Sequence, residues 1–240
     1  MTKLVMVLPI LKFEELERRT RQECESIARK GIQVQVVSLE EGPASIECEY
    51  DVVAAEPGIL RAVKDAEKNG ADACMISCFG DPGIDAAREI ARIPVIGAGE
   101  TSMYLAAMLG QRFSIVTVLP EVKPRMWNRA HIYGLASKVA SIRDIQMPVL
   151  QLDKDWQRIK QRLFEESKTA IETDGAQVIT LGCTGMVGMA ASLQRDLWEA
   201  SYKVPVIDPV HAMIKYAEGL IDMKLSHSRM TYPLPPTKER

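Results

Sequence analysis

Two cysteines stand at matching places in the sequence, and their spacing suggests proton-transfer chemistry. Cys78 follows the apolar run 73–77, and Cys183 follows a similar run later in the chain. A Gly-Ala pair, at 70–71 and again at 175–176, begins eight residues before each thiol. Two acid–base groups on opposite faces of a carbon can remove a proton from one face and return a proton to the other. The spacing therefore predicts a thiol pair that inverts a stereocentre.

Such a pair needs one thiolate and one thiol, and the surrounding pattern offers a way to obtain them. A free thiol has a pKa of about 8.5, and a helix N-terminus lowers that pKa. Residues 84–90 carry helical patterning, so the first thiol is predicted between a strand and a helix. Glycines flank both cysteines and let backbone N–H groups approach an enolate oxygen. They are Gly80 and Gly83 in one turn and Gly182 and Gly185 in the other.

The other cysteines favour simpler interpretations. A single cysteine at the end of an apolar strand is more often a small buried hydrophobe than a base, and only the matched offsets favour function for the pair. Cys74 lies inside the apolar run and is interpreted as core, while Cys24 and Cys48 have no motif around them. Cys74 and Cys78 lack the Cys-x-x-Cys spacing, and the three histidines lack zinc-site spacing to any cysteine. No metal site is predicted.

Four other features give weaker indications of a role in the site, or none. His211 follows the last repeated strand, so it is a candidate to border the substrate cleft. Asp81 is predicted to cap the helix that follows Cys78. Arg125 and Arg129 are interpreted as a solvated helix face or an interface. The Gly-Ala-Gly-Glu turn at 97–100 lacks the spacing of a dinucleotide fingerprint, so no nicotinamide site is predicted.

The elements that must position the thiols alternate between strand and helix. Apolar runs in the first half predict strands at 4–8, 33–37 and 73–77, separated by helices at 13–30 and 57–68. The second half repeats this order, with a strand at 113–118 and a Pro-Val-Ile strand after each thiol, at 94–96 and 205–207. Alternation of this kind indicates parallel sheets covered by helices. We therefore predict an α/β fold of two similar Rossmann-like lobes, related by pseudo-two-fold symmetry, with the active site in the cleft between them.

The repeat also predicts where the chain divides. The chain is predicted to cross between the lobes near residues 97–112 and to return near residue 207. Residues 227–240 are predicted to form a tail, because Pro residues dominate the stretch from 233 to 236.

Composition limits the class of protein and of partner. The 240 residues are 47% hydrophobic, enough for a sizeable core. Thirty basic and 32 acidic residues leave a formal charge of −2, so nothing favours binding to nucleic acid or to an anionic membrane surface. Five scattered cysteines indicate free thiols in a reducing compartment, which we expect to be the cytoplasm. The apolar run 4–11 is too short to span a membrane, and charged residues follow it in place of a signal-peptide cleavage site.

Several motifs in order give the chain a family resemblance. It resembles the aspartate/glutamate racemase superfamily and, within it, the hydantoin and allantoin racemase branch. The motifs are Ser-Cys-Phe-Gly-Asp-Pro-Gly at 77–83, Pro-Val-Ile-Gly at 94–97, Gly-Gln-Arg-Phe-Ser-Ile-Val-Thr at 110–117, Leu-Gly-Cys-Thr-Gly-Met at 181–186 and Pro-Val-Ile-Asp at 205–208.

The resemblance implies two similar lobes, the first with residues 1–97 and 208–226 and the second with residues 98–207. It also implies roles for individual residues. It implies a small-molecule substrate, no cofactor, a homo-oligomer, and Cys78 and Cys183 as opposed bases. By the same resemblance, Thr117 lies at a third strand end, and Phe79, Gly80, Thr184 and Gly185 bracket the substrate. Pro9 and Ile10 are also predicted to contact it, although the family usually has an Asn-Pro-Asn loop where this chain has Leu-Pro-Ile-Leu-Lys at 8–12.

The leading hypothesis is a cofactor-independent racemase or epimerase that acts on an acidic carbon next to a carbonyl, in a 5-substituted hydantoin or a similar ureide. One alternative is another enolate reaction, such as decarboxylation of a disubstituted malonate or cis–trans isomerisation of maleate. Decarboxylases of this superfamily typically retain one cysteine of the pair, so the presence of both disfavours decarboxylation. The other alternative is a small-molecule binding protein without turnover.

Overall fold

Two parallel four-stranded sheets organise the chain over residues 1–152 and 154–236, which a computed structural model describes. The first sheet contains β1 (Thr2–Leu11), β2 (Ile32–Leu39), β3 (Ala73–Ile76) and β4 (Val95–Gly97). The second contains β5 (Phe113–Thr117), β6 (Val139–Asp144), β7 (Val178–Leu181) and β8 (Val206–Ile207). Their orders are β2-β1-β3-β4 and β6-β5-β7-β8. The repeated order confirms the predicted α/β fold of two similar lobes.

Helices connect the strands and cover the sheets, as crossovers between parallel strands require. The helices before β5 are α1 (Glu14–Ile27), α2 (Glu49–Lys68), α3 (Ile84–Ile90) and α4 (Ala98–Leu109). Those after it are α5 (Lys123–Ile132), α6 (Trp156–Glu172), α7 (Met189–Glu199) and α8 (Pro209–Asp222). Within the described ranges, no helix combines the length and the apolar character that a membrane crossing needs.

The last helix returns to the first sheet. Val210, Met213 and Ile214 of α8 are buried in one core cluster with Leu4 and Met6 of β1. The predicted lobe boundaries, at 97/98 and 207/208, stay a prediction that this packing supports.

Two elements extend beyond their predicted limits. The first strand was expected to end at Pro9, but β1 continues to Leu11. Its register with β2 shifts between Leu8 and Leu11, so Pro9, which has no N–H to donate, lies where the regular ladder is interrupted. Helix α2 begins at Glu49 because Asp51 accepts hydrogen bonds from the backbone N–H groups that precede the helix.

The segment after α8 is attached to the first lobe. The N–H of Val95 donates to His227 Nε2 over 2.9 Å, and Ser226 Oγ donates to Arg92 O over 2.9 Å. Burial lowers the pKa of His227 to about 4, which keeps the ring neutral and able to accept near neutral pH. The predicted tail therefore contacts the first lobe between His227 and Tyr232, and residues 237–240 lie outside the described part.

Arg229 is expected to stabilise the fold through the C-terminus of α3. Its guanidinium donates to Arg88 O over 3.0 Å and also to Ala91 O, which are carbonyls that the end of a helix leaves without partners. Arg229→Ala should lower the free energy of unfolding by about 1–3 kcal/mol, measured by urea denaturation. Arg229→Lys, which keeps a cation at this helix end, should recover part of the loss. An unchanged denaturation midpoint for Arg229→Ala would contradict this role.

Candidate active site

The two cysteines occupy equivalent strand ends. Cys78 lies two residues after the last residue of β3, and Cys183 two residues after the last residue of β7. The residue before each thiol still belongs to the ladder, because Ser77 N–H donates to Val7 O and Gly182 N–H donates to Val116 O, over 2.9 and 2.8 Å. The chain therefore leaves both sheets at the same step and places each thiol at a carboxyl edge, where ligands of parallel α/β sheets bind.

Both thiols line one cleft between the lobes. The cleft has a cavity volume of about 90 Å³, which is below the roughly 300–1,000 Å³ of sites for drug-sized ligands. The structure brings seven further predicted site residues into its wall, although their contact with a substrate stays a prediction. They are Pro9, Ile10, Phe79, Gly80, Thr117, Thr184 and Gly185.

Two threonine hydroxyls hold the turns that carry the thiols. Thr184 Oγ1 donates to the carbonyl of Ser77 over 2.9 Å and so joins the second lobe to the first beside both cysteines. Thr117 Oγ1 donates to the carbonyl of Gly182 over 3.1 Å. Each hydroxyl proton is committed to a backbone carbonyl, which leaves the oxygen lone pairs to accept from a ligand.

The pKa of both thiols moves opposite to the expectation. Burial raises the pKa of Cys78 to about 11 and that of Cys183 to about 12, although N–H groups of Gly80 and Gly185 act against this rise. The expected help from a helix N-terminus is absent because α3 begins only at residue 84 and α7 at residue 189. Both shifts therefore act against the thiolate that was predicted near neutral pH. A negative charge on Cys78 also raises the pKa of Cys183, as expected of neighbouring thiols.

Asp81 caps a helix other than the predicted one. Its carboxylate accepts from the N–H groups of Gly99 (2.9 Å) and Glu100 (2.7 Å), in the first turn of α4, and from the hydroxyl of Tyr133 (2.6 Å). The N-cap of α3 is Gly83. Burial raises the pKa of Asp81 to about 6, and the three hydrogen bonds oppose that rise. Backbone N–H groups of the Gly-Ala-Gly-Glu turn at 97–100 are therefore bound to a carboxylate of the protein itself, that of Asp81.

Of the two interpretations of Arg125 and Arg129, the solvated face is wrong, and an interface, here the one between the lobes, agrees with their contacts. Arg125 lines the cleft, and both guanidinium groups donate to the carbonyl of Gly80. Their spacing of four residues on α5 places them on one helix face, which was the available sequence signal. Sequence reasoning also missed Cys48 and Glu49 at the start of α2, which belong to the cleft wall.

His211 lies apart from the thiols. The described residues that line the thiol cleft do not include His211, so the prediction that it borders this cleft is wrong. Its Nε2 contacts Glu23 Oε1 on α1 instead. Asp208 caps α8 by accepting from Val210 N–H over 2.8 Å. One potential ligand atom from each of Glu23, Asp208 and His211 lies within 4.8 Å of the others, and the His211–Glu23 hydrogen bond accounts for this grouping without an ion.

Comparison with known proteins identifies the family. The family model described as Asp/Glu/Hydantoin racemase matches residues 14–217. A hydantoin racemase of Pseudomonas sp. (strain NS671) is 43% identical over 215 residues, which cover 89% of this chain and 84% of that protein. A hydantoin racemase of Rhizobium meliloti is 39% identical, covering 82% of this chain and 80% of that protein.

A solved structure agrees with these relatives. The allantoin racemase from Klebsiella pneumoniae superposes with a TM-score of 0.93 at 32% identity and covers 99% of this chain and 95% of its own. Two sheets of the same strand order, two thiols at equivalent strand ends and these similarities agree with one another. The chain belongs to the Asp/Glu/Hydantoin racemase family and is an isomerase of the racemase class.

Proposed function

We propose that the chain inverts C5 of a 5-substituted hydantoin or a related ureide, with Cys78 and Cys183 as the two proton-transfer groups. The observation that carries this proposal is that both thiols, from equivalent ends of β3 and β7, line one cleft. The names of the relatives, hydantoin racemase and allantoin racemase, support the substrate class.

The proposed reaction has two proton transfers. The thiolate of one cysteine takes the proton from C5, and the electron pair of the broken C–H bond moves into the adjacent carbonyl to form an enolate. The thiol of the other cysteine then gives its proton to the opposite face of C5. The first cysteine ends as a thiol and the second as a thiolate, so the enzyme after turnover is ready for the reverse reaction.

The backbone beside the sulfurs can lower the barrier. N–H groups of Gly80 and Gly185 each interact with the neighbouring cysteine sulfur and favour its thiolate. Phe79 and Thr184, which directly follow the cysteines, are proposed to bracket the planar ring and its developing negative charge.

The remaining wall of the cleft is mainly apolar and is proposed to hold the 5-substituent. Leu8 and Ile10 at the end of β1, with Val118, Met126 and Val149 from the second lobe, contribute this surface. Because β1 continues through Pro9, the Leu-Pro-Ile stretch presents buried apolar side chains where polar loop residues were the family expectation. An alkyl or aryl substituent therefore fits this wall better than a charged one.

The test follows one enantiomer in deuterated water. Resolved 5-isobutylhydantoin should lose its optical rotation with the protein present, and the product enantiomer should carry deuterium at C5 by NMR. A parallel sample without protein gives the spontaneous rate. If the protein accelerates neither racemisation nor exchange for alkyl hydantoins, aryl hydantoins and allantoin, the proposed activity is refuted.

The ratio kcat/KM is expected to rise with pH. For the enantiomer whose C5 proton faces Cys78, the Cys78 thiolate is the base. With a pKa near 11 its fraction grows about tenfold for each pH unit between about 7 and 10, while Cys183 stays protonated. Initial rates should be corrected with a Cys78→Ser/Cys183→Ser double variant, because hydantoins also racemise spontaneously in alkali. A flat profile over this range would show that thiol ionisation does not limit the reaction.

A further inference from the structure

We propose that Arg125 and Arg129 are positioning residues that hold the Cys78 turn from the opposite lobe, so that this thiol is ready to react only while the lobes are in contact. The inference rests on the proposed two-thiol function. It concerns residues of α5, which belongs to the second lobe, whereas Cys78 follows β3 of the first lobe.

Three hydrogen bonds connect α5 to the turn after Cys78. Arg125 Nε and Arg129 Nε both donate to the carbonyl of Gly80, over 2.9 and 3.1 Å, and Arg129 Nη2 donates to the carbonyl of Asp81 over 2.9 Å. Hydrogen bonds from a charged donor are stronger than neutral ones, and two guanidinium groups on one carbonyl fix its direction. The backbone at 80–81 is thereby held from across the cleft.

The turn permits this approach because residue 80 has no side chain. A Cβ on Gly80 would lie 2.9 Å from Arg125 Nε and 3.0 Å from its Cδ, so any other residue would displace the guanidinium. Arg125 is held from a second direction by Glu49 at the start of α2, whose Oε2 lies 2.8 Å from Nη1. Arg125 therefore contacts the first lobe at two points and spans the cleft.

The held turn acts directly on Cys78. The N–H of Gly80 favours the Cys78 thiolate and lowers its pKa, and the positive charges of Arg125 and Arg129 act in the same direction. Fixing the Gly80 carbonyl restrains the same residue whose N–H faces the sulfur. Burial raises the pKa of Cys78 and is the largest contribution, and the carboxylate of Asp81 also raises it.

Cys183 has a different arrangement. The groups that lower its pKa are the N–H groups of Gly185 and Met186, which belong to its own lobe. Arg19 of the first lobe also reaches the second lobe, but its bond to Val187 O, over 3.4 Å, lies four residues beyond Cys183. The two thiols are therefore unequal, because two guanidinium groups of the opposite lobe hold the carbonyls at 80–81 beside Cys78. Loss of the arginines should impair one base and spare the other.

The experiment measures the ionisation of each thiol separately. The full-length protein is alkylated with iodoacetamide at pH 7 to 10, and the rates at Cys78 and Cys183 are read from their peptides by mass spectrometry. The variants are R125Q, R129Q, the double variant and R125K. The control is R162Q, because Arg162 on α6 also donates to a backbone carbonyl, that of Ile145 over 3.2 Å, away from the cleft.

In the double variant, the Cys78 alkylation rate should fall about tenfold at pH 8, equivalent to a pKa rise of about one unit. Cys183 should react at the wild-type rate, the single variants should show part of the effect, and R125K should recover part of the loss in R125Q. The R162Q protein should match the wild type at both thiols. If the double variant does not fold, the two single variants decide.

The inference and the proposed function fail in different ways. An unchanged Cys78 profile in folded R125Q and R129Q proteins overturns the positioning role, even if the wild type racemises hydantoins. Slower alkylation of both thiols also overturns it, because that result indicates a general structural effect. A selective change at Cys78 in a protein that racemises no hydantoin supports the positioning role and refutes the proposed reaction.

Discussion

Cys78→Ser and Cys183→Ser are each expected to lower the racemisation rate roughly a thousandfold. A serine hydroxyl keeps the size of the side chain but does not ionise near the pH at which a thiol does, so it can neither take nor return the proton efficiently. Each substitution removes one of the two faces from which C5 is approached. Polarimetry on a resolved 5-substituted hydantoin measures the loss.

The two variants should differ in the exchange that they retain. In deuterated water, the cysteine that remains can still remove a proton from its own face and return a deuteron to that same face. Cys78→Ser should therefore exchange the C5 proton of one enantiomer, and Cys183→Ser that of the other, as read by NMR. Exchange of the same enantiomer by both variants would exclude opposed bases, and full racemisation by either would exclude the pair altogether.

Cys48→Ser is the matched control for these substitutions. Cys48 contributes to the same cleft but has no counterpart in the repeat, and it is the N-cap of α2. Serine is a favourable N-cap residue, so the helix start is preserved. This variant should retain most of the racemisation rate, which separates loss of the thiol pair from loss of any thiol in the cleft.

Gly99→Ala is expected to destabilise the protein by about 3 kcal/mol or more, because overpacking leaves α4 no room. A Cβ on Gly99 would lie 2.1 Å from the carbonyl oxygen of Phe79 and 2.9 Å from Asp81 Oδ2. Either α4 or the turn after Cys78 must move, so activity should fall together with stability. Urea denaturation and the racemisation assay measure the two effects.

Gly219→Ala provides the comparison. Gly219 lies inside α8, and the nearest atom to an added Cβ is Met223 Cε at 3.9 Å. Alanine in a helix interior is favoured over glycine by roughly 0.5–1 kcal/mol, so this variant should be more stable than the wild type. If both variants shift the urea denaturation midpoint equally, the argument that Gly99 is needed for close packing of α4 is contradicted.

The fold was largely predictable because its signals are local. The strand that ends before Cys78 and the helix over 84–90 follow from short apolar patterns, and the second copy around Cys183 repeats them. The start of α2 was hidden, because its capping residues look like turn formers and Pro57 lies within the helix. Strand β1 was cut short for a similar reason, since Pro9 normally ends a strand.

The parts of the site that were missed depend on tertiary structure. Asp81 accepts from Gly99 and Tyr133, which are distant along the chain, whereas the sequence offered only the neighbouring helix as a partner. The raised pKa of both thiols depends on burial, which no local motif encodes. Arg125 faces the cleft because α5 packs beside the opposite turn, and its composition alone resembled a solvent-exposed face.

The carboxylate at the start of α4 has a consequence for ligand choice. In many α/β proteins the N-terminus of a helix that follows a strand binds the phosphate of a nucleotide or sugar. In this chain the carboxylate of Asp81 already occupies that position, and each of its oxygens accepts a hydrogen bond from an amide N–H of α4. A phosphate group could bind these amide groups only by displacing the carboxylate of Asp81.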